Sequence, residues 1–280
     1  MPFGVLVIGP AGAGKTRFCA ALQTYGDVQS RSIHVINLDP AAEDIPYRTD
    51  VDVREIVTVD DAMAELKFGP NGGLVYCMEY LLAHSEWLEE KLLAFAPEDT
   101  ILFDCPGQLE LYTHVPVMPR LVALMQRWDT RLCVAYMMDS VSLGEPSKFI
   151  AGALAGLSAM LQLPLPRLTV LSKTDLLAPD VLEEFLEIGS ATTFLQTCDN
   201  RNTKFLKLTT VIANLLDDHS LLSYVPFSIH DEDSPSHVLT YADQLTQYTD
   251  EAEVRIPRDI EGEEEEDPDT AFKALMHHHR

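Results

Sequence analysis

Short runs of β-branched and other apolar residues alternate along the chain with longer stretches in which apolar positions recur every three or four residues. That alternation is the pattern of βαβ units around a mainly parallel sheet. It predicts strands over residues 3–8, 33–37, 100–103, 132–138, 168–171 and 224–227, each nearly all apolar, as strands covered on both faces are. Helices are predicted over 15–25, 74–95, 117–128, 148–161, 179–186, 203–217 and 234–248. The expected fold is α/β, a doubly wound, mainly parallel sheet flanked by helices.

The chain has 280 residues, 46% of them apolar, enough for one large buried core. Its formal charge of −24 argues against direct nucleic-acid or membrane partners, whose phosphates would repel it. Acids crowd into residues 250–270, although the remainder is acidic as well. A single domain over 1–250 is expected, followed by an acidic tail over 251–280 that is too polar to offset its own ordering entropy. Both a solvating role and a docking role stand for that tail. The five cysteines (Cys19, Cys77, Cys105, Cys133 and Cys198) are scattered, with no CxxC pair and no secretory pattern. A reduced protein of the cytosol or nucleus is expected. No apolar run is long enough to span a bilayer.

Directly after the first predicted strand stands GPAGAGKT at residues 9–16, a full GxxxxGK(S/T) match opening a predicted helix. Backbone amides can converge on phosphate oxygens only where no Cβ intrudes, which is the work of Gly9, Gly12 and Gly14, with Ala13 among them. Lys15 would reach the β- and γ-phosphates and Thr16 would offer its hydroxyl to Mg²⁺, with Arg17 next in the helix as a further nucleotide contact. The expected class within the α/β group is therefore a P-loop NTPase.

Two later strands end in matching elements. The run ending at residue 103 delivers DCPGQ, in which Asp104 can hold Mg²⁺ and the Gly107 amide can sense the γ-phosphate. The strand at 168–171 delivers SKTD: Asp175 can accept from both N1–H and the 2-amino group of guanine, and the Lys173 stem can lie along the base, beside Ser172. This combination favours GTP or GDP over adenine nucleotides. Ser228, after the last strand, has two readings, a base-edge contact or an ordinary strand end.

Five blocks in order carry a family resemblance: GPAGAGKT, NLDPAAE at 37–43, FGPNGGLVYCMEYL at 68–81, FDCPGQLELYTH at 103–114 and SKTD. Together they resemble the GPN-loop GTPases over nearly the whole chain, and the early phosphate loop and short acidic end are most similar to the family's third eukaryotic branch. The resemblance implies GPN-loop and helical insertions in the fold, with the naming triplet at Gly69, Pro70 and Asn71. It implies that Asn71 acts in trans across a dimer, toward the γ-phosphate end of the partner's nucleotide; read from residues alone, Asn71 is a turn or capping residue. Asp39 would stand near the attacking water and the metal, and Gln108 and Glu110 would position that water. The resemblance further implies GTP/GDP and Mg²⁺ as cofactors, and a homodimer or a heterodimer with a paralogue. RNA polymerase II subunits or assembly factors would be partners, in polymerase assembly and nuclear import from the cytoplasm. A GTP/GDP-binding scaffold with negligible turnover when unpaired remains the competing reading.

Overall fold

Seven strands, all parallel, make one sheet in the order β3-β2-β4-β1-β5-β6-β7. They are β1 (Phe3–Ile8), β2 (Ile33–Asn37), β3 (Thr49–Asp52), β4 (Thr100–Asp104), β5 (Arg131–Asp139), β6 (Arg167–Ser172) and β7 (Tyr224–Phe227). The helices are α1 (Lys15–Val28), α2 (Val59–Leu66), α3 (Pro70–Ala83), α4 (Ser85–Leu92), α5 (Glu110–Thr113), α6 (Val117–Arg127), α7 (Pro146–Gln162), α8 (Pro179–Ile188), α9 (Ala191–Thr197), α10 (Leu206–Asp218) and α11 (Ser234–Thr246). This computed structural model describes residues 2–197, 206–219 and 224–248. Cys198, the start of the helix predicted at 203 and the acidic tail lie outside the described residues. No described helix is long and apolar enough to cross a membrane.

The period-two alternation of a strand divides the core into two layers. Leu6 and Ile8 of β1 join Ile36, Phe103 and Tyr136 on the face covered by α3, α6 and α7. Val5 and Val7 point the other way, onto Phe18 and Leu22 of α1 and Val238, Leu239 and Ala242 of α11. Burial on both faces explains why the central strands read as unbroken apolar runs. Met118, Met125, Met137 and Met138 are all core residues, as their positions suggest.

The structure departs from the sequence-based prediction at β3, within 74–95, and at α2, α5 and α9, where no helix is predicted. β3 reads TDVD and buries only Val51, because it is an edge strand with half its residues facing outward, and it carries no apolar run to announce it. The single helix expected over 74–95 is two: His84 leaves helical geometry at φ −114°, ψ 35° and divides α3 from α4. α2 begins at a Thr58 cap, whose hydroxyl accepts from the Asp61 amide, and precedes the GPN triplet.

α9 and α10 are joined by a cap supplied from outside the helix it caps. Asp217 of α10 accepts from the Ala191 amide at 2.7 Å, the Thr192 amide at 3.2 Å, and the Ser190 and Thr192 hydroxyls. Burial raises the Asp217 carboxyl, but these hydrogen bonds outweigh it and hold the group below its usual value. An anion at a helix start also complements the helix dipole.

Candidate nucleotide-binding site

The carboxyl ends of β1, β2, β4, β5, β6 and β7 bring every sequence-predicted element except the GPN triplet to one edge of the sheet, where open parallel sheets place ligands. The phosphate loop leaves β1 through Gly9 at φ 146°, Gly12 at φ 79° and Gly14 at φ 90°, all left-handed. At Gly9 a Cβ would sit 2.5 Å from the Met137 carbonyl oxygen; at Gly12 and Gly14 it would meet open space. Gly9 is thus required by packing as well as by φ, whereas the other two leave a cradle clear. Lys15 is buried and folds back over the loop, its Nζ donating to the Gly9 and Pro10 carbonyls at 3.1 and 3.3 Å. Gly107 closes over the same loop: a Cβ there would lie 2.9 Å from Lys15 Nζ and 3.1 Å from the Ala11 backbone.

Beside Lys15, oxygen groups converge. Asp104 is buried at the end of β4, bonded to the Thr16 side chain and to Tyr47, whose hydroxyl donates to Asp104 Oδ2 at 3.0 Å. Burial pushes the Asp104 carboxyl up and nearby Asp39 pushes it further, against those two hydrogen bonds and Lys15. Asp39 is raised by burial too, opposed by the Ala41 amide, Lys15 and Arg54. Two carboxylates raised by burial next to a threonine hydroxyl form the hard-oxygen donor set that suits Mg²⁺. The Asp39 turn is held by Asn37, whose Oδ1 accepts from the Asp39 amide at 3.0 Å and whose Nδ2 donates to Asp52. Asp52 is in turn locked by Arg54 at 2.6 Å.

Arg54 is therefore committed to a structural pair, and Arg48 lies 3.9 Å from Asp27 at the surface. Arg17 is exposed on the first turn of α1. Cys105 is fully buried with its thiol pushed up by burial, the small core residue its position suggests.

Gly69, in extended conformation, is the N-cap of α3, and Pro70 follows at the first helical position. The reading of Asn71 as a cap is therefore corrected: the helix starts before it, so its side chain is free to project. It reaches the switch turn of its own chain, where Gln108 Nε2 donates to Asn71 Oδ1 at 3.2 Å. Glu110 opens α5 with its side chain exposed.

At the other end of the site, Ser172 is buried, and its hydroxyl lies 2.8 Å from the Ala13 carbonyl and 3.1 Å from that of Met138. It ties the SKTD segment to the phosphate loop. Lys173 sits in left-handed conformation at φ 59°, its Nζ 2.6 Å from Asp139. Asp175 is exposed and accepts from the Ser228 hydroxyl at 3.0 Å. Ser228 is itself fixed by the His230 amide and by Ser234. Ser228 thus lies beside Asp175 at the end of β7.

Sequence reasoning missed Tyr47, Gln23, Asp139 and Ser140. Gln23 of α1 holds Arg48 from both sides, Nε2 to its carbonyl at 2.9 Å and Oε1 from its amide at 2.8 Å, which seats Tyr47 over Asp104. No spacing rule connects residues so far apart in the chain. The weak signal available was an otherwise unexplained glutamine on the buried face of α1.

A glycine cradle at a helix start, a closing Gly107 and a paired Thr16 and Asp104 define a P-loop nucleoside triphosphatase. A family profile described as "Conserved hypothetical ATP binding protein" matches residues 7–248. GPN-loop GTPase 3 of Danio rerio is 43% identical over 267 residues, covering 93% of each chain. GPN-loop GTPase 3 of Saccharomyces cerevisiae is 41% identical over 263 residues, 91% of this chain and 96% of that one. A GTPase from Pyrococcus abyssi, solved in apo form, superposes with a TM-score of 0.72 at 24% identity, covering 87% of this chain and 97% of that one, and shares the fold. The chain belongs to the GPN-loop GTPase family.

Proposed function

We propose that the chain is a Mg²⁺-dependent GTP hydrolase that works as a dimer. The observation that carries this reading is the Ser172 bridge, which joins a phosphate cradle to an exposed carboxylate, Asp175, held in place by Ser228. Guanine presents two adjacent donors to such a carboxylate and adenine does not, which favours GTP over the adenine nucleotide of the family profile's description.

Lys15 would leave its resting carbonyls for the β- and γ-phosphates, and the amides from Gly12 to Thr16 would stabilise charge that builds there. Thr16 and Asp104 would hold Mg²⁺, with Asp39 beside them; when bound, the ion would offset charge on the phosphates. Asp39, raised by burial, is suited to orient water in line with the leaving oxygen and to accept its proton. Gln108 would present its amide to that water once released from Asn71, and Asn71 would then turn to a partner subunit's nucleotide, with Glu110 at the rim. The partner is a second copy or a paralogue; the resemblance supports action in RNA polymerase II assembly and nuclear import, in the cytoplasm with passage to the nucleus.

A second reading, a GTP/GDP-binding scaffold with little turnover alone, is favoured by the hydrogen bond that occupies Gln108 within its own chain. GTP hydrolysis per mole of chain, with and without Mg²⁺, with ATP as control and over a wide range of protein concentration, separates the two. Specific activity that rises with concentration is expected. Tight GTP binding with no turnover at any concentration would favour the scaffold.

A further inference from the structure

Lys173 is one of five described non-glycine residues with positive φ, and it lies inside the candidate site. A left-handed conformation costs such a residue about 1–2 kcal/mol and persists only where its surroundings enforce it. Two neighbours in sequence enforce it here. Ser140, wholly buried, donates its hydroxyl to the Lys173 carbonyl at 2.8 Å. Asp139 takes the other end, its Oδ2 accepting from Lys173 Nζ at 2.6 Å.

Asp139 is itself fixed. It closes β5 opposite Ser172 in the sheet register, and its Oδ1 accepts from the Val141 amide at 2.9 Å. The Ser142 hydroxyl donates to the Asp139 carbonyl at 2.6 Å. The pair thus sits on the rigid edge of the sheet and reaches across to a loop residue. With carbonyl and ammonium both held, the four-carbon stem between them is anchored at both ends, two residues before Asp175.

We propose that Asp139 and Ser140 are positioning residues for nucleotide recognition, which hold Lys173 as a preformed shelf for the face of the base while Asp175 reads its edge. The proposal rests on the guanine-nucleotide reading above. The shelf sits ready before the ligand arrives, so its loss weakens GDP and GTP equally and shows in KM more than in kcat.

The test is a double-mutant cycle on the full chain, read by the dissociation constants of a fluorescent GDP and of GTP and by the melting temperature. Asp139→Asn is expected to weaken both nucleotides by roughly fivefold, the scale of a half-exposed ion pair. In a Lys173→Met background the same substitution is expected to add nothing, because there is no ammonium left to hold. Ser140→Ala, which frees the Lys173 carbonyl, is expected to act in the same direction and stands in should Asp139→Asn not fold. Unchanged nucleotide affinity in a folded variant would overturn the proposal, as would a full Asp139→Asn effect in the Lys173→Met background. A wild-type chain that holds neither nucleotide would overturn the guanine reading and this proposal together, whereas an unaltered variant beside a binding wild type would overturn this proposal alone.

Discussion

The two ends of the site are built from different materials. At the phosphate end, recognition is written largely in the backbone: three left-handed glycines, an approach too close for a Cβ at Gly9 and a tight one at Gly107, beside buried Lys15 and Asp104. At the base end it is written in side-chain pairs, part-exposed Lys173 on Asp139 and exposed Asp175 on buried Ser228. Backbone cradles allow little substitution because geometry and ligand contact are the same atoms. Side-chain relays can lose a member and still fold.

The sharpest way to break this contrast is Gly9→Ala. The new methyl would meet a main-chain oxygen that cannot retreat, at a φ that L-residues avoid, so nucleotide binding should vanish and stability should fall by about 3 kcal/mol. Retained binding by isothermal titration with an unchanged melting temperature would refute it. Next comes Tyr47→Phe, which keeps the ring and removes the donor to Asp104. Outer hydrogen bonds to metal-holding groups are worth about 10–100-fold in metal affinity, so the Mn²⁺ or Mg²⁺ concentration for half-saturation should rise at least tenfold. That shift is measurable by metal titration of the nucleotide complex as well as by turnover.

Ser228→Ala belongs to the base end and should be milder. Loss of one hydrogen bond, about 1 kcal/mol, predicts roughly fivefold weaker GTP binding with the fold intact. A fall as large as that of Gly9→Ala would erase the distinction between the ends. The smallest effect on the site is expected from Asp217→Asn, remote from both. It should cost about 1 kcal/mol of stability at neutral pH, as lost caps do, with nucleotide affinity unaltered. Because the folded Asp217 carboxyl lies below its ordinary value of 3.8, its stabilisation is present above that pH and lost as pH falls through the folded value. Urea unfolding of variant and wild type should therefore converge below about pH 4.

The same contrast governs how much was legible in the sequence. Glycines that must be glycine, and the lysine, threonine and aspartate at fixed offsets from them, announce the phosphate end before any fold is known. β1, β2 and β4–β7 were visible because burial on both faces leaves an apolar run, and β3 was not because an edge strand with one buried valine resembles a loop. Asp139, Ser140 and Tyr47 gave no signal, and Gln23 only a weak one, because each acts on a partner 25 to 57 residues away, through contacts that exist only once the sheet has formed. Asn71 was found by resemblance alone, and its partner Gln108 within the chain could not have been read from either segment.

Ser172 has a single proton between two carbonyls, one in the loop that receives phosphates and one in the strand beside the base. The pocket consequently behaves as a caliper whose jaws are set before a ligand arrives. On the proposed reading, guanosine alone, or a bare triphosphate, would meet only one jaw. The length of the molecule is measured along with its chemistry.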